Sequence, residues 1–379
     1  MSLAPPSMPS VESRALVTTA HGGPEVMALQ VRSIPQPGPQ QVRVRMHAAA
    51  FNHLDLWVRR GIPAGHWPVP IVPCADGAGV VEAIGEGVAP VGPCAPGSAV
   101  VLYPVRGCMG CAACRRGDLP LCRQFGMLGE NEDGCARDHV IVPAWSVLPL
   151  PPGLSFVEAA ALPTTMLTAW HMLAKVAALQ PGEVVLVHGG RSGVGSAGIQ
   201  IAKLLGAFVI ASVRSADDAP AVRNLGADDV IDTGDAGWPK AVRARWPEGV
   251  DVVFEHLGGA IMEASLRVVR KGGRIVTCGA TTGHAVSVDL RKVFFHSVQL
   301  LGSTMGTLAE LETILTLAGR RQLRAAVGAV RPLTAGAEAM ALLEARGVAG
   351  KVVLTLTDGA AVDAENAAGA GAGANAAVD

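Results

Sequence analysis

Through residues 14–157 the apolar positions come in short bursts cut by proline and glycine, as in Gln41–Met46, Gly79–Ile84, Ala99–Tyr103 and Asp138–Val142. Valine-rich runs of this length, bounded by turn residues, predict strands, and a succession of them with no helical period predicts a small β-barrel. The pattern changes near Ser155. Runs of strand length (Glu183–His188, Ala207–Val213, Asp251–Glu255, Arg274–Cys278) now alternate with stretches of helical period (Val194–Leu205, Ala219–Leu225, Ile261–Val269). Parallel neighbours need a crossover to bring the chain back to the same end, so this alternation predicts an α/β domain with a parallel sheet, over 158–305. A further helix and a last β-run, Lys351–Leu356, follow within 306–357, and that run is expected to return to the first domain.

Composition narrows the classes. The 379 residues leave room for two domains, half of them are hydrophobic, and aromatics make up only 4%, so the apolar character comes from small side chains. The longest apolar stretch, Ala159–Leu179, is interrupted by Pro163, three threonines, His171 and Lys175, and does not read as a membrane span. A net charge of −1 without a basic run argues against nucleic acid as the main partner. Residues 1–13, rich in proline and serine, and the Ala-Gly repeat of 358–379 bury too little to fold and are expected to be disordered. With no signal-peptide pattern at the start, a reducing cytoplasm is the expected compartment.

Four cysteines, Cys108, Cys111, Cys114 and Cys122, are spaced C-x2-C-x2-C-x7-C in a lobe over 106–123, with Gly107, Gly110 and Gly117 between them. Short chelate loops of this kind bring four thiolates to ~2.3 Å from one Zn²⁺, and four ligands close the tetrahedron, which makes such an ion structural. Two disulfides or plain thiols are the alternative. The other cysteines, Cys74, Cys94, Cys135 and Cys278, are scattered and read as buried thiols.

The segment from Glu183 to Lys203 is strand, glycine turn and helix, with G-x-G-x-x-G at Gly193, Gly195 and Gly198. Glycines there permit the tight turn and the close approach of a pyrophosphate to a helix N-terminus. In this context the turn predicts a dinucleotide site, with Gly189, Ser192, Gly193, Val194 and Gly195 as contacts. The second strand ends at Val213-Arg214-Ser215, where an NAD site usually carries an acid for the ribose 2′-OH. Arg214, with Ser215, suits a 2′-phosphate, which favours NADP(H) over NAD(H). Asp217 and Asp218 lie just beyond, and a solvated surface arginine is the plain alternative.

Asn52-His-Leu-Asp55, Asp76-Gly-Ala-Gly-Val-Val-Glu-Ala-Ile-Gly85, the four-cysteine lobe, Leu225-Gly-Ala-Asp228 and Leu301-Gly-Ser-Thr-Met-Gly306 together resemble the medium-chain dehydrogenase/reductase superfamily, from about Ala15 to Leu356. The resemblance implies a GroES-like barrel, a Rossmann domain with a doubly wound parallel sheet, an active site in the cleft between them, and a homodimer joined through an edge strand near Ser297–Ser303. It also implies where zinc-holding relatives place the ligands of a second, catalytic metal. Those positions fall here on Asn52, Ala75 (in Cys74-Ala75-Asp76) and Thr164, which do not make a zinc site. One structural Zn²⁺ and no catalytic zinc is therefore the expectation.

Without a Lewis acid, hydride transfer needs an acceptor that is already activated, such as a C=C conjugated to a carbonyl. The resemblance implies Asn52 as a substrate or nicotinamide contact, His53 facing the cofactor phosphates, Trp57 lining the substrate site and Asp76 accepting hydrogen bonds. A turn-stabilising Asn52, a solvated His53 and a core Trp57 are the bland alternatives. It further implies Thr164 and Thr168 beside the nicotinamide, Gly258, Gly279, Ala280, Thr281, Thr304 and Met305 along the cofactor, and Lys351 near the pyrophosphate unless it is a surface lysine. The single tyrosine, Tyr103, has no evident route to the cleft. The expected activity is an NAD(P)H-dependent reduction of an enone or enoyl thioester. A quinone oxidoreductase, an alcohol dehydrogenase and a non-catalytic dinucleotide-binding protein stay open. The expected partner is a small molecule, with a CoA thioester among the candidates and Arg59, Arg60, Arg115 and Arg116 as basic contacts.

Overall fold

The structure, a computed structural model, describes residues 10–61 and 67–356. Contacts divide the chain into two compact units: Met109–Cys122 with Thr164–Ala326 form the second, and the rest of the described chain forms the first.

The first unit is built on a seven-stranded sheet. Its order runs Val327–Pro332, Lys351–Thr355, Gln41–Ala50, Asp76–Ile84, Ala99–Leu102, Val147–Pro149, and His139–Pro143 also pairs with Gln41–Ala50. Val42, Val44 and Met46 of the central strand pack with Val81, Leu102, Val140, Val142, Val352 and Leu354 in one buried cluster. The GroES-like barrel expected from the sequence is thus present. One register positions a buried polar cluster. Val353 pairs antiparallel with Ala50, and the Phe51 amide donates to the Val352 carbonyl at 3.0 Å. Continuing that ladder brings Lys351 across from Asn52. The next strand pairs Asp76 with the same Ala50.

The second unit carries a six-stranded sheet, all parallel, in the order Asp229–Asp232, Phe208–Val213, Val184–Val187, Val250–Glu255, Val269–Thr277, Gln299–Gly302. Numbered along the chain this is 3-2-1-4-5-6, the doubly wound order, with its switch point between the first and fourth strands. Both central strands are apolar on both faces (Val185, Leu186, Val187; Val252, Val253, Phe254, all fully buried), as a sheet covered by helices requires. The stretch Ala159–Leu179 folds as two short helices, Phe156–Ala160 and Pro163–Trp170, and a wide π-type turn, His171–Val176. No helix among the described residues is long and apolar enough to cross a membrane.

Three expectations need correcting. Residues 11–13, expected to be part of a disordered start, begin a strand, Val11–Thr18, paired over its whole length with Met27–Ile34. Residues 1–9 and 357–379 lie outside the described residues. The helix Leu308–Gly319, expected with the returning segment, belongs to the second unit: Glu310 takes the His171 ring at 2.9 Å, and Gly306 lies against Leu167. The return starts at Val327. Finally, the strand Asp229–Asp232 and the helix Trp238–Arg245 add to the expected elements, because a four-residue strand flanked by acids carries almost no period.

Candidate functional site

In the first unit the helix His53–Arg60 begins where the central strand ends, with Asn52 at its N-cap. The cap is made from the other side: Asp55 accepts the Asn52 backbone N–H at 2.7 Å and the Cys74 N–H at 2.7 Å. Asn52 and Asp55 are paired as a capping box, and the Asn52 amide turns inward. Its Nδ2 donates to Asp76 Oδ2 at 3.0 Å, and its Oδ1 accepts from Lys351 Nζ at 2.5 Å; Lys351 Nζ also donates to Asp76 Oδ2 at 2.8 Å. Asn52 is 8% exposed, Lys351 4% and Asp76 0%. Lys351, expected beside the pyrophosphate, therefore has its ammonium on the amide of Asn52, one of the positions compared above with a metal ligand, and on the carboxylate of Asp76, the neighbour of another, Ala75. Neither lone sequence position announces this, since 299 residues separate Lys351 from Asn52.

Burial shapes the acids around this cluster. Asp55 is pushed up to about 6, chiefly by desolvation and further by Asp76, against the Asn52 and Cys74 N–H bonds and the Lys351 charge, which pull it down. Glu130 is also raised, by burial first and then by Asp55. The thiols of Cys74 and Cys135 are raised by burial, so neither is a ready thiolate. The sign of the Asp55 effect is unusual for a carboxylate. Its folded-state value lies above that of the unfolded chain (about 3.9), so the folded protein binds the proton first as pH falls. The stability it contributes is present below about pH 4 and lost as pH rises through about 6. The melting temperature of wild type relative to Asp55→Asn is therefore expected to fall from pH 4 to pH 7. A difference that is flat, or that moves in favour of wild type, would refute this reading.

His53 is half-buried and held low by burial, then by the charges of Arg346 and Arg60. Trp57 is half-buried on the same helix. Tyr103 is fully buried and packs edge-on against Trp145. Of the basic residues considered for a CoA moiety, Arg59 and Arg60 both bond Glu344, Arg115 bonds the Gly110 carbonyl, and Arg116 pairs with Asp118. Each is already engaged.

In the second unit the glycine turn has the geometry its sequence requires. Ser192 caps the helix Gly193–Leu204, its Oγ accepting from the Gly195 N–H at 2.9 Å. A Cβ on Gly195 would fall 2.1 Å from the Gly189 carbonyl oxygen, and one on Gly198 would press on the Phe254 ring at 3.1 Å. Glycine is therefore required at both places for the turn to close on itself and for the helix to pack on the sheet, with Val194 on the helix's first turn. His256, which no sequence motif singles out, follows the fourth strand: its Nε2 lies 2.9 Å from the His188 carbonyl and 3.5 Å from Ser192 Oγ, and its carbonyl accepts from Thr281 Oγ1 at 3.2 Å. Gly258 (φ +76) donates its N–H to Glu255, and Gly279 with Ala280 closes on the same loop. The carboxyl ends of the first, fourth and fifth strands therefore converge, as a switch-point site demands. Beneath them His188 is held neutral, down to about 3, by burial and by His256, between Ser212 and Ser265 hydroxyls.

Thr168 Oγ1 lies 3.6 Å from the Met305 sulfur, which joins two of the expected nicotinamide neighbours. Thr164 is half-buried on the same helix, and Thr304 is exposed. At the end of the second strand Arg214 is exposed, Ser215 accepts from the Asp217 N–H, and Asp218 is tied to Arg191 at 2.6 Å. That ion pair neutralises one of the acids that would oppose a 2′-phosphate.

The sulfurs of Cys108, Cys111, Cys114 and Cys122 all lie within 4.8 Å of one another, with Cys111 3.6 Å from Cys114 and 3.9 Å from Cys122. Those are not disulfide distances, and none of the eight cysteines is bonded to another. A tetrahedron with ~2.3 Å bonds has edges of about 3.8 Å, so the four sulfurs fit one structural Zn²⁺. The short helix Ala112–Arg115 and Gly117 (φ +80) turn the chain between them.

Residues 193–320 match the zinc-binding dehydrogenase family, and residues 38–152 match the alcohol dehydrogenase GroES-like domain. A crotonyl-CoA carboxylase/reductase of Cereibacter sphaeroides is 30% identical over 346 residues, 82% of this chain and 79% of that protein. The chain belongs to the medium-chain dehydrogenase/reductase superfamily. Among solved members of that superfamily, one described as an NAD-dependent alcohol dehydrogenase is 43% identical with a TM-score of 0.87, covering 91% of this chain and 100% of that one. The human synaptic vesicle membrane protein VAT-1 homolog is 31% identical over 268 residues, 70% of this chain. The chain spans only 61% of that relative's length.

Proposed function

We propose that this chain is an NAD(P)H-dependent oxidoreductase that reduces a C=C conjugated to a carbonyl, in an enone or an enoyl thioester, without a catalytic metal. One observation carries the reading. Where zinc-holding relatives place a thiolate ligand, Asn52 presents an amide held by Asp76 and Lys351, and one hydrogen of its Nδ2 has no acceptor among the described residues. A simple alcohol or ketone needs a Lewis acid at that place. A conjugated carbonyl needs only a hydrogen-bond donor for the charge that gathers on its oxygen.

The residues of the second unit fit a dinucleotide: Gly189, Ser192, Gly193, Val194 and Gly195 would hold the pyrophosphate, Arg214 and Ser215 the ribose phosphate, and Thr168, Met305 and Gly279–Thr281 the nicotinamide side. The reduced nicotinamide, when bound, supplies the hydride that the β-carbon takes up. Asn52 orients the carbonyl and stabilises the developing oxyanion, and water supplies the proton to the α-carbon. The exposed Arg214 together with the neutralised Asp218 favours NADPH over NADH, and the four cysteines hold one structural Zn²⁺. The crotonyl-CoA carboxylase/reductase among its relatives supports the enoyl class.

A second reading, alcohol dehydrogenase, is favoured by the name of the 43% identical structure. Initial rates of NADPH and NADH oxidation with a crotonyl thioester, a benzoquinone and a simple aldehyde separate the two. The proposal expects the thioester with NADPH to be fastest. An aldehyde or primary alcohol turned over faster than any conjugated acceptor would sink it.

The edge strand Gln299–Gly302 is paired on one side, and Leu300 is exposed, as are Phe294 and Phe295 of the preceding helix Leu290–His296. A bare apolar edge is an aggregation liability, so we read the protein as a homodimer closed there, as the superfamily resemblance implies. Sedimentation at micromolar concentration should give twice the chain mass of 38.7 kDa; a monomer would contradict it.

A further inference from the structure

Lys351, Asn52 and Asp76 form a closed ring of hydrogen bonds around one buried cation. An ammonium has donors only, so the atom of Asn52 that faces it must be the amide oxygen, and the orientation of the amide is fixed rather than free to flip. One Nδ2 hydrogen then goes to Asp76, and the other has no acceptor among the described residues. Exposure increases from Asp76 through Lys351 to Asn52, so Asn52 is the outermost member of the ring and Lys351 lies behind it. Burying an ion pair is no efficient way to gain stability, because apolar residues of similar volume usually do as well. A cation kept here needs another reason.

We propose that Lys351 is a positioning residue that replaces, one hydrogen bond removed, the positive charge a metal ion gives the zinc-holding relatives. Its ammonium draws electron density through the Asn52 amide and holds the amide in register, so that the outward Nδ2 hydrogen is a stronger and better aimed donor for a substrate carbonyl oxygen. Hydrogen bonds in a chain polarise one another in this way, and more so where water is excluded. Asp76 holds the ammonium in place and accepts the inward amide hydrogen. The inference rests on the reduction reading above for its substrate, a thioester or ketone carbonyl, but not for its first test.

That test is spectroscopic. The chain has five asparagines, so protein labelled with ¹⁵N-asparagine gives five side-chain amide pairs, and Asn52→Ala identifies the one from Asn52. Lys351→Met is expected to shift the Asn52 pair and speed its exchange with water, while those of Asn131 and Asn224 stay in place. If that variant fails to fold, Asp76→Leu with Lys351→Met removes both charges together and serves in its place. An Asn52 pair that does not move in the variant that folds would overturn the proposal. The second test is kinetic, on a crotonyl thioester. Lys351→Met should lower kcat by about tenfold or more with a smaller change in KM, and should add almost nothing in the Asn52→Ala background, since residues that act through one contact are not additive. Losses that simply multiply would mean that Lys351 does not work through Asn52. If no conjugated carbonyl is turned over but the amide pair moves as stated, the function reading fails and the positioning role stands.

Discussion

Replacing Cys111 with serine is expected to cut bound zinc from about one per chain to near none and to lower the melting temperature by about 6–12 °C. The substitution is a clean one. Cys111 is the N-cap of the helix Ala112–Arg115, and serine is a favoured N-cap, so the ligand is removed while the local turn is kept. Three sulfurs do not close the tetrahedron that the distances among the four describe. Structural zinc in small peptides contributes about 10–16 kcal/mol to folding. Only part of that couples to a unit of this size; about 3 kcal/mol corresponds to the stated shift at about 2–4 °C per kcal/mol. Elemental analysis and calorimetry check both halves. Unchanged zinc and unchanged melting would show that the four cysteines hold no ion.

Asn52→Ala is expected to lower kcat on a crotonyl thioester by about 10²–10³, the usual loss when one donor to a developing oxyanion is removed. KM should change less, because the ground-state carbonyl attracts the amide less than the oxyanion does. The fold should survive: Asp55 still accepts the backbone N–H groups of position 52 and of Cys74, and Lys351 keeps Asp76 as its partner. Zinc content should also stay at about one per chain. A second zinc in wild type that disappears in this variant would mean that Asn52 belongs to a metal site after all.

What the chain makes legible is what the chemistry forces to be local. A four-thiolate cluster needs its cysteines close together, here within fifteen residues, and a tight strand-to-helix turn needs Gly195 and Gly198 where a Cβ would clash, so both motifs stand out in the bare sequence. The strand and helix runs of the second unit are legible because its central strands are apolar on both faces. The hairpin Val11–Thr18 and Met27–Ile34 is not, since Leu29 and Val31 are exposed and blur the period. Lys351 shows the deeper limit. Its strand is plain from the apolar run that it opens, yet its partner is set by an antiparallel register with a strand near residue 50. No periodicity carries such a register. The ion pairs of Arg59 and Arg60 are hidden in the same way, because their partner Glu344 comes from far along the chain.

The central claim is hydride delivery to the β-carbon of a conjugated carbonyl with no metal at the site. It is tested most directly by turning over a crotonyl thioester with NADPH deuterated at nicotinamide C4, with and without phenanthroline, and locating the label by mass spectrometry and NMR. The account predicts a butyryl thioester with one deuterium at C3, formed at the same initial rate with the chelator present. Deuterium at the carbonyl carbon, as in an aldehyde or alcohol product, together with rapid inhibition by phenanthroline, would contradict it.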